Sequence, residues 1–264
     1  MRRRLLSDSS PSRALALRAP SWWLVALAAI GCGASQEAAT VRLPVTTVAA
    51  AIPAAITDLG YSVELEQLRI AVVGIQFTIE GEMHASVAPP GTSLHPGHSA
   101  GGEVTGELPG SYILTWNGAP QPVLGEGTLI VGAYRGANFA FRGADARDEL
   151  DAADPLLGHT FHLTGQVTQG ATTKPFDAVL DVEPDAAVIG AVFEDVITET
   201  STETLAIGFQ PIDPAEQDTA FDGVDFFALP EAPDGGIEIR PGSPAHNIIR
   251  RAIQTHDHYS VIAQ

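Results

Sequence analysis

The stretch Tyr61–Glu80 reads YSVELEQLRIAVVGIQFTIE, and apolar side chains alternate with polar ones at both of its ends. The apolar members of this alternation are Val63, Leu65, Ile75, Phe77 and Ile79. A period of two residues is typical of a β-strand that buries one face. The stretch is therefore predicted to form one long bent strand or two short strands, half buried in either case.

Short strand patterns recur along the rest of the chain. They cover residues 41–48, 111–116, 127–134, 138–142, 187–197 and 202–210. Pro44 lacks an N–H donor, so the first of these is predicted to be an edge strand. Residues 159–168 and 175–183 flank a turn at 169–173, which predicts a hairpin.

One helix is predicted near the end of the chain. Ser243 is a good N-cap and Pro244 suits the first helical position. An apolar stripe then continues the pattern to about Thr255, through Ile248, Ile249, Ala252 and Ile253. Many short strands and one helix predict an all-β fold: an antiparallel β-sandwich with a short C-terminal helix, forming a single domain over residues 41–264.

Composition limits the partners of this chain. Its 264 residues hold 14 Lys and Arg against 32 Asp and Glu, a net charge of −18, and they include a single lysine, Lys174. Such a chain cannot neutralise a run of phosphates, so nucleic acid is excluded as a partner. One cysteine also excludes a disulfide framework and a cysteine-based zinc module.

Residues 1–31 have the pattern of a secretory signal peptide. Five arginines accompany the continuous apolar run Trp22–Ile30, which is too short to span a bilayer, since spanning takes roughly 20 residues. The run ends at Ala29-Ile30-Gly31-Cys32, which resembles a bacterial lipobox. The resemblance implies lipidation of Cys32, which would become the new N-terminus. The alternative is an ordinary signal cleaved after Ala34, with Cys32 discarded.

The lipobox resemblance also predicts a location. Residues 32–40 would form a tether, the lipid would provide membrane attachment, and Gly33 after the cysteine favours the outer membrane. The domain is then expected in the periplasm or at the cell surface. Removal of residues 1–31 takes away five arginines and one aspartate, so the mature chain carries a net charge of −22. Such a charge raises the local concentration of cations.

Two histidines flank a predicted turn at Leu94-His95-Pro96-Gly97-His98. Pro-Gly is the preferred central pair of a type II turn, whose flanking Cα atoms lie within about 7 Å. The two imidazoles are therefore expected at chelating distance. Imidazole suits copper and zinc, and His84 is the expected third ligand. The alternative is an ordinary turn with solvated histidines.

Other groups of the chain also bear on its chemistry. His256 and His258 have period-two spacing, which predicts imidazoles on one face of a strand or in an extended tail, as possible additional metal ligands. The aspartates of residues 211–236 lack the EF-hand spacing and predict an acidic loop packed on phenylalanines. No H-E-x-x-H motif and no P-loop lysine are present, and the chain is predicted not to be an enzyme.

The turn His95-Pro96-Gly97-His98 and the segment Phe221–Phe226 before the final helix together resemble the MbnP-like periplasmic copper-binding proteins. This resemblance implies copper binding and a role in copper handling. The sequence thus predicts an extracytoplasmic lipoprotein that binds copper or zinc. A metal-free lipoprotein that binds or supports another envelope protein is the alternative.

Overall fold

A computed structural model describes residues 38–79, 103–184 and 186–264. This part of the chain is mostly β, as predicted, and its one α-helix lies near the C-terminus. The elements are β1 Thr40–Thr47, β2 Ala55–Ile56, β3 Ser62–Ile79, β4 Glu103–Trp116, β5 Gly125–Ile130, β6 Gly132–Phe141, β7 Phe161–Gln169, β8 Thr172–Leu180, β9 Ala187–Ile197, β10 Leu205–Phe209, β11 Ile237–Ile239, α1 Pro244–Ile253 and β12 Tyr259–Ala263.

Within the stretch Tyr61–Glu80 lies one strand, β3, of 18 residues. Its register slips at four places, after Leu65, Val73, Phe77 and Thr78, and Gly74 adopts a left-handed φ of 64° at the second slip. Such bulges bend a strand and increase its twist. Of the two predicted alternatives, one long bent strand or two short strands, the structure has the first. The bend lets β3 pair with β7 along its first half and with β6 along its second half.

The strands close into a ring because β3 pairs with both ends of a path. Starting from β3, the neighbours are β4, β5, β1, β10, β12, β9 and β6, and β6 pairs again with β3. The strands β7, β8 and β11 form an extension of the sheet, which is joined to the ring through the pairing of β7 with the first half of β3. The prediction that all strand pairs are antiparallel is wrong. Three pairs (β1–β10, β8–β11 and β9–β12) are parallel, so the sheet is mixed.

Large side chains fill the interior of the ring. Trp116 of β4 packs 5.9 Å from Phe209 of β10 and 6.5 Å from Tyr259 of β12, measured between ring centroids. The Trp116 indole donates a hydrogen bond to the carbonyl of Ile207 at 2.9 Å, so its polar atom is satisfied inside the core. Burial raises the pKa of the Tyr259 hydroxyl well above its ordinary value.

Three local predictions can be compared directly with the structure. The β7–β8 hairpin is confirmed, with Gly170 at its turn taking a φ of 62°. The helix is confirmed too: Ser243 accepts a hydrogen bond from the His246 N–H, and α1 ends at Ile253. The prediction that the strand with Pro44 lies at an edge is wrong, because β1 lies between β5 and β10. Pro44 is tolerated because the β10 pairing begins only at Val45.

Candidate functional site

The predicted metal-binding histidines His84, His95 and His98 lie outside the described residues, as does Cys32. The structure does define where their segment is attached. Ile79 at the end of β3 pairs with Glu103 at the start of β4. Residues 80–102 therefore leave and rejoin the ring at one pair of hydrogen-bonded strand ends. This end of the ring is the anchoring point of the predicted loop.

His256 and His258 are anchored at the other end of the ring. They belong to a 3₁₀ turn, not to a strand or an extended tail, so the predicted period-two face is not formed. The turn leads directly into Tyr259, which packs against Trp116 at the far end of β4 from Glu103. The two predicted histidine groups thus have no common anchoring point in the fold.

The side chains of that turn bind within the protein. The Nδ1–H of His258 donates to the carbonyl of Gln210 at 2.9 Å, and His258 is buried. Burial lowers the pKa of His258, against smaller opposing contributions from that hydrogen bond and from Asp213 and Asp257. His256 contacts a carboxylate oxygen of Asp257 at 2.9 Å. Within the described ranges, no three His, Cys, Asp or Glu residues form a group that could hold a metal ion.

A chain of charged side chains crosses the outer face of β3, β7, β8 and β11. We call it the outer-face network, and its members are Asp154, Arg69, His162, Asp177 and Arg240. Its position follows from strand alternation, because Leu68 and Ile70 are fully buried and the side chain between them must point outward. The connection between β6 and β7 then covers part of this face, and Leu156 packs there against Ala71.

Hydrogen bonds fix the tautomer of His162 at the centre of this network. Arg69 can only donate, and its Nη2 lies 2.9 Å from Nδ1 of His162, so Nδ1 must be the acceptor. The proton is therefore on Nε2, which donates to Asp177 at 2.9 Å. Both ring nitrogens are used within the protein, and His162 has no lone pair left for a metal or a substrate.

The carboxylates of the network are held in their charged form. Arg69 donates two hydrogen bonds to Asp154, at 2.7 and 2.6 Å, and these lower the pKa of Asp154 against the effect of burial. At Asp177, burial is the largest single influence and raises the pKa. The other influences, led by the hydrogen bonds from His162 and Arg240, together outweigh it, so the pKa of Asp177 is lowered overall. The outer-face network thus links the ring, the extension and the β6–β7 connection through hydrogen bonds and ion pairs.

Two further histidines, His159 and His246, both contact Asp181 beside the start of β7. His159 precedes the strand and is not part of it, and its Nδ1 contacts a carboxylate oxygen of Asp181 at 2.8 Å. The backbone N–H of Asp181 donates to Nε2 of His246 at 3.1 Å, and His246 is buried. Each of the five histidines in the described ranges therefore has a partner inside the protein, which the sequence pattern did not show.

The aspartate-rich segment before β11 is organised by hydrogen bonds to a carboxylate, that of Asp222. The Asp222 carboxylate accepts hydrogen bonds from the N–H and hydroxyl groups of Thr219 and from the N–H of Asp58. Phe221 and Phe226 are fully buried beneath it. This arrangement agrees with the predicted acidic loop packed on phenylalanines.

Close to this segment is a shallow depression of about 500 Å³, lined by Leu59, Tyr61, Gln169, Asp225, Phe227 and Ala228. The Tyr61 hydroxyl donates to Asp225 at 2.6 Å, and the Lys174 ammonium lies 5.1 Å from the centre of the Phe227 ring. Burial and the hydrogen bond to Asp225 raise the pKa of Tyr61. The polar groups here already bind one another, so the depression is a weak candidate for a ligand site.

Residues Gly97-His98-Ser99-Ala100-Gly101 match the G-x-S-x-G spacing of a hydrolase nucleophile elbow. They lie in the segment that is predicted to form the metal-binding loop. The elbow requires a strand that turns directly into a helix. Here the segment joins β3 to β4, which are adjacent antiparallel strands. Residues 97–101 themselves lie outside the described residues.

Comparisons with known proteins add no further constraint. No protein-family model, no curated protein and no solved structure matches this chain. Among the residues that the structure describes, no helix has the length and apolar character needed to cross a membrane.

Proposed function

We propose that this chain is an extracytoplasmic lipoprotein that binds a transition-metal ion, copper or zinc, through His95 and His98, with His84 as third ligand. The observation that carries the proposal is the His-Pro-Gly-His turn. A Pro-Gly turn holds its flanking residues close together before a metal arrives, so little ordering entropy opposes binding. The resemblance to MbnP-like copper-binding proteins is part of the same proposal, as is a non-catalytic role in metal handling.

Two features of the described residues support this choice of ligands. The segment 80–102 is fixed at both ends by the Ile79–Glu103 pair, which limits the volume that the loop can explore. In addition, the histidines of the described ranges are committed to partners within the protein. His256 and His258 are accordingly weaker candidates than the loop histidines. We also propose that the ring packs as two β layers, in the manner of a sandwich.

Calorimetric titration of the purified mature chain with Cu²⁺ and Zn²⁺ tests the metal site. We expect binding at micromolar affinity or better, and we expect the His95→Ala/His98→Ala double variant to lose it. Ligating imidazoles must be neutral, so the affinity should fall as the pH drops through their ordinary pKa of about 6.5.

A His159→Ala variant is the matched control, because it removes an imidazole that lies outside the loop and already contacts Asp181. It should bind the metal as the parent chain does. Equal uptake by the double variant and the parent, or no uptake by either, would refute the metal site.

The proposed lipid anchor can be tested separately. Metabolic labelling with a palmitate analogue should label the parent chain and place it in the membrane fraction. The Cys32→Ala chain should lose both properties, since the thiol is the proposed attachment point. A Cys32→Ala chain that is labelled and fractionates like the parent would contradict this assignment.

The second candidate function, a metal-free module that binds another envelope protein, is favoured by one surface feature. Apolar side chains on the outer face of β9 and β12 are exposed, namely Ile189, Val192, Val196 and Ile262. Exposed apolar surface is typical of interaction sites when it is contiguous. A photo-crosslinker at position 192 that captures an envelope protein, together with a negative metal titration, would favour this candidate over the first.

A further inference from the structure

We propose that Asn117 is a site of spontaneous deamidation, promoted by the hydrogen bonds that the fold makes to its side chain. Asn117 follows β4 directly and is exposed, and the next residue is Gly118. It is the one asparagine of the chain that precedes a glycine; the other two, Asn138 and Asn247, precede phenylalanine and isoleucine.

The side-chain carbonyl oxygen of Asn117 accepts two hydrogen bonds. The backbone N–H of Ala119 donates to Oδ1 at 3.1 Å, and Nε2 of Gln121 donates to the same atom at 2.7 Å. A backbone N–H can only donate, so the atom that faces Ala119 must be the oxygen of the amide. The orientation of the Asn117 amide is therefore determined by its surroundings.

These two donors are placed where negative charge develops during the reaction. When the Gly118 nitrogen attacks Cγ of Asn117, the carbonyl oxygen becomes an oxyanion in a tetrahedral intermediate. Preorganised donors at such an oxygen lower the barrier, and removing one of them in an enzyme costs about 100-fold or more in rate. The N–H groups of Ala119 and Gln121 thus act at Oδ1 of Asn117 in the way that an oxyanion hole acts in an enzyme.

The attacking nitrogen is also accessible. Gly118 has no Cβ to obstruct the approach, and its φ of 76° is a conformation that glycine adopts without strain. In the part of the chain that is described, the Gly118 N–H makes no backbone hydrogen bond that ring closure would have to break.

The reaction balances with water as the only co-reactant. The Gly118 nitrogen loses its proton and forms a bond to Cγ of Asn117, while the Cγ–Nδ2 bond breaks and ammonia leaves. Water then adds to one of the two carbonyls of the succinimide. The product at position 117 is aspartate or isoaspartate, and both add one negative charge to the loop between β4 and β5.

The test is peptide mapping by mass spectrometry of the purified chain during incubation at mildly alkaline pH. We expect deamidation at Asn117, and none over the same period at Asn138 or Asn247. Those two amides also contact donors, from Gly190 and His246, but bulky residues follow them inside β6 and α1.

Gln121→Leu is the decisive variant, because it removes one donor and keeps a similar side-chain size. Its rate at Asn117 should be lower by about tenfold or more. Gln121 lies in a surface loop, and a denaturation curve like that of the parent would show that the variant folds. An unchanged rate in Gln121→Leu, or an intact Asn117 in the parent chain, would overturn the proposal.

Discussion

Replacement of Gly165 by alanine is expected to lower the free energy of unfolding by more than about 3 kcal/mol, a large fraction of the roughly 5–15 kcal/mol that stabilises a typical domain. A Cβ at this position would lie 2.2 Å from the carbonyl oxygen of Glu64 and 3.0 Å from the Cα of Leu65. Both atoms belong to the backbone of β3, so a rotamer change cannot relieve the clash. Urea denaturation followed by tryptophan fluorescence would measure the loss.

The cause of this close approach is the first bulge of β3. Leu65 pairs with Gly165 and Gln67 pairs with Thr164, so one extra residue of β3 is accommodated opposite β7. The bulge displaces the β3 backbone toward β7 at the position of the glycine.

Gly132→Ala is the matched control, since Gly132 also lies in a strand. Its Cβ would meet only Cγ2 of Ile79, at 3.5 Å, which is an ordinary contact. This variant should unfold within error of the parent chain. Equal stability of the Gly165 and Gly132 variants would contradict the steric argument.

The sequence predicted those features that depend on local pattern. Alternation revealed β3, turn chemistry revealed the β7–β8 hairpin, and the capping residues revealed α1. The closure of the ring was not predictable in this way. It depends on β12, a short strand after the helix that pairs with β10 and β9, and on parallel pairs between segments distant in the chain. Period-two alternation does not encode which strand becomes the neighbour.

The same limit explains the histidines. The sequence grouped them by spacing, yet His162 is bound by Arg69, which is 93 positions away, and His246 by the backbone of Asp181, which is 65 positions away. The one available signal was Arg69 itself, a charged residue between the buried Leu68 and Ile70. An arginine that must lie on a sheet face invites a search for an acidic partner, but the sequence offers many aspartates and does not select Asp154.

Arg69→Met should lower the free energy of unfolding by about 3 kcal/mol, because removal of one member of a buried ion pair leaves the other charge uncompensated. The Arg69 and Asp154 side chains are 14% and 16% exposed, so water can replace little of what is lost. The variant also removes the hydrogen bond to Nδ1 of His162, while methionine keeps most of the apolar stem. Urea denaturation at neutral pH measures the effect.

The pH dependence gives this variant a second readout. Since Arg69 lowers the pKa of Asp154 in the folded state, the stability from this pair is complete above the carboxyl pKa of the unfolded chain, about 3.9. It is lost as the pH falls from there through the folded pKa. The parent chain should therefore lose more stability below about pH 4 than Arg69→Met does.

Arg147→Met is the matched control, because Arg147 pairs with Asp145 at the surface and its side chain is 83% exposed. Exposed pairs contribute little to stability, so this variant should unfold as the parent chain does. If the two arginine variants were equally stable, the outer-face network would be a surface feature without structural consequence. If only Arg69→Met is destabilised and loses its acid dependence, the network is what holds the β6–β7 connection and the extension to the ring.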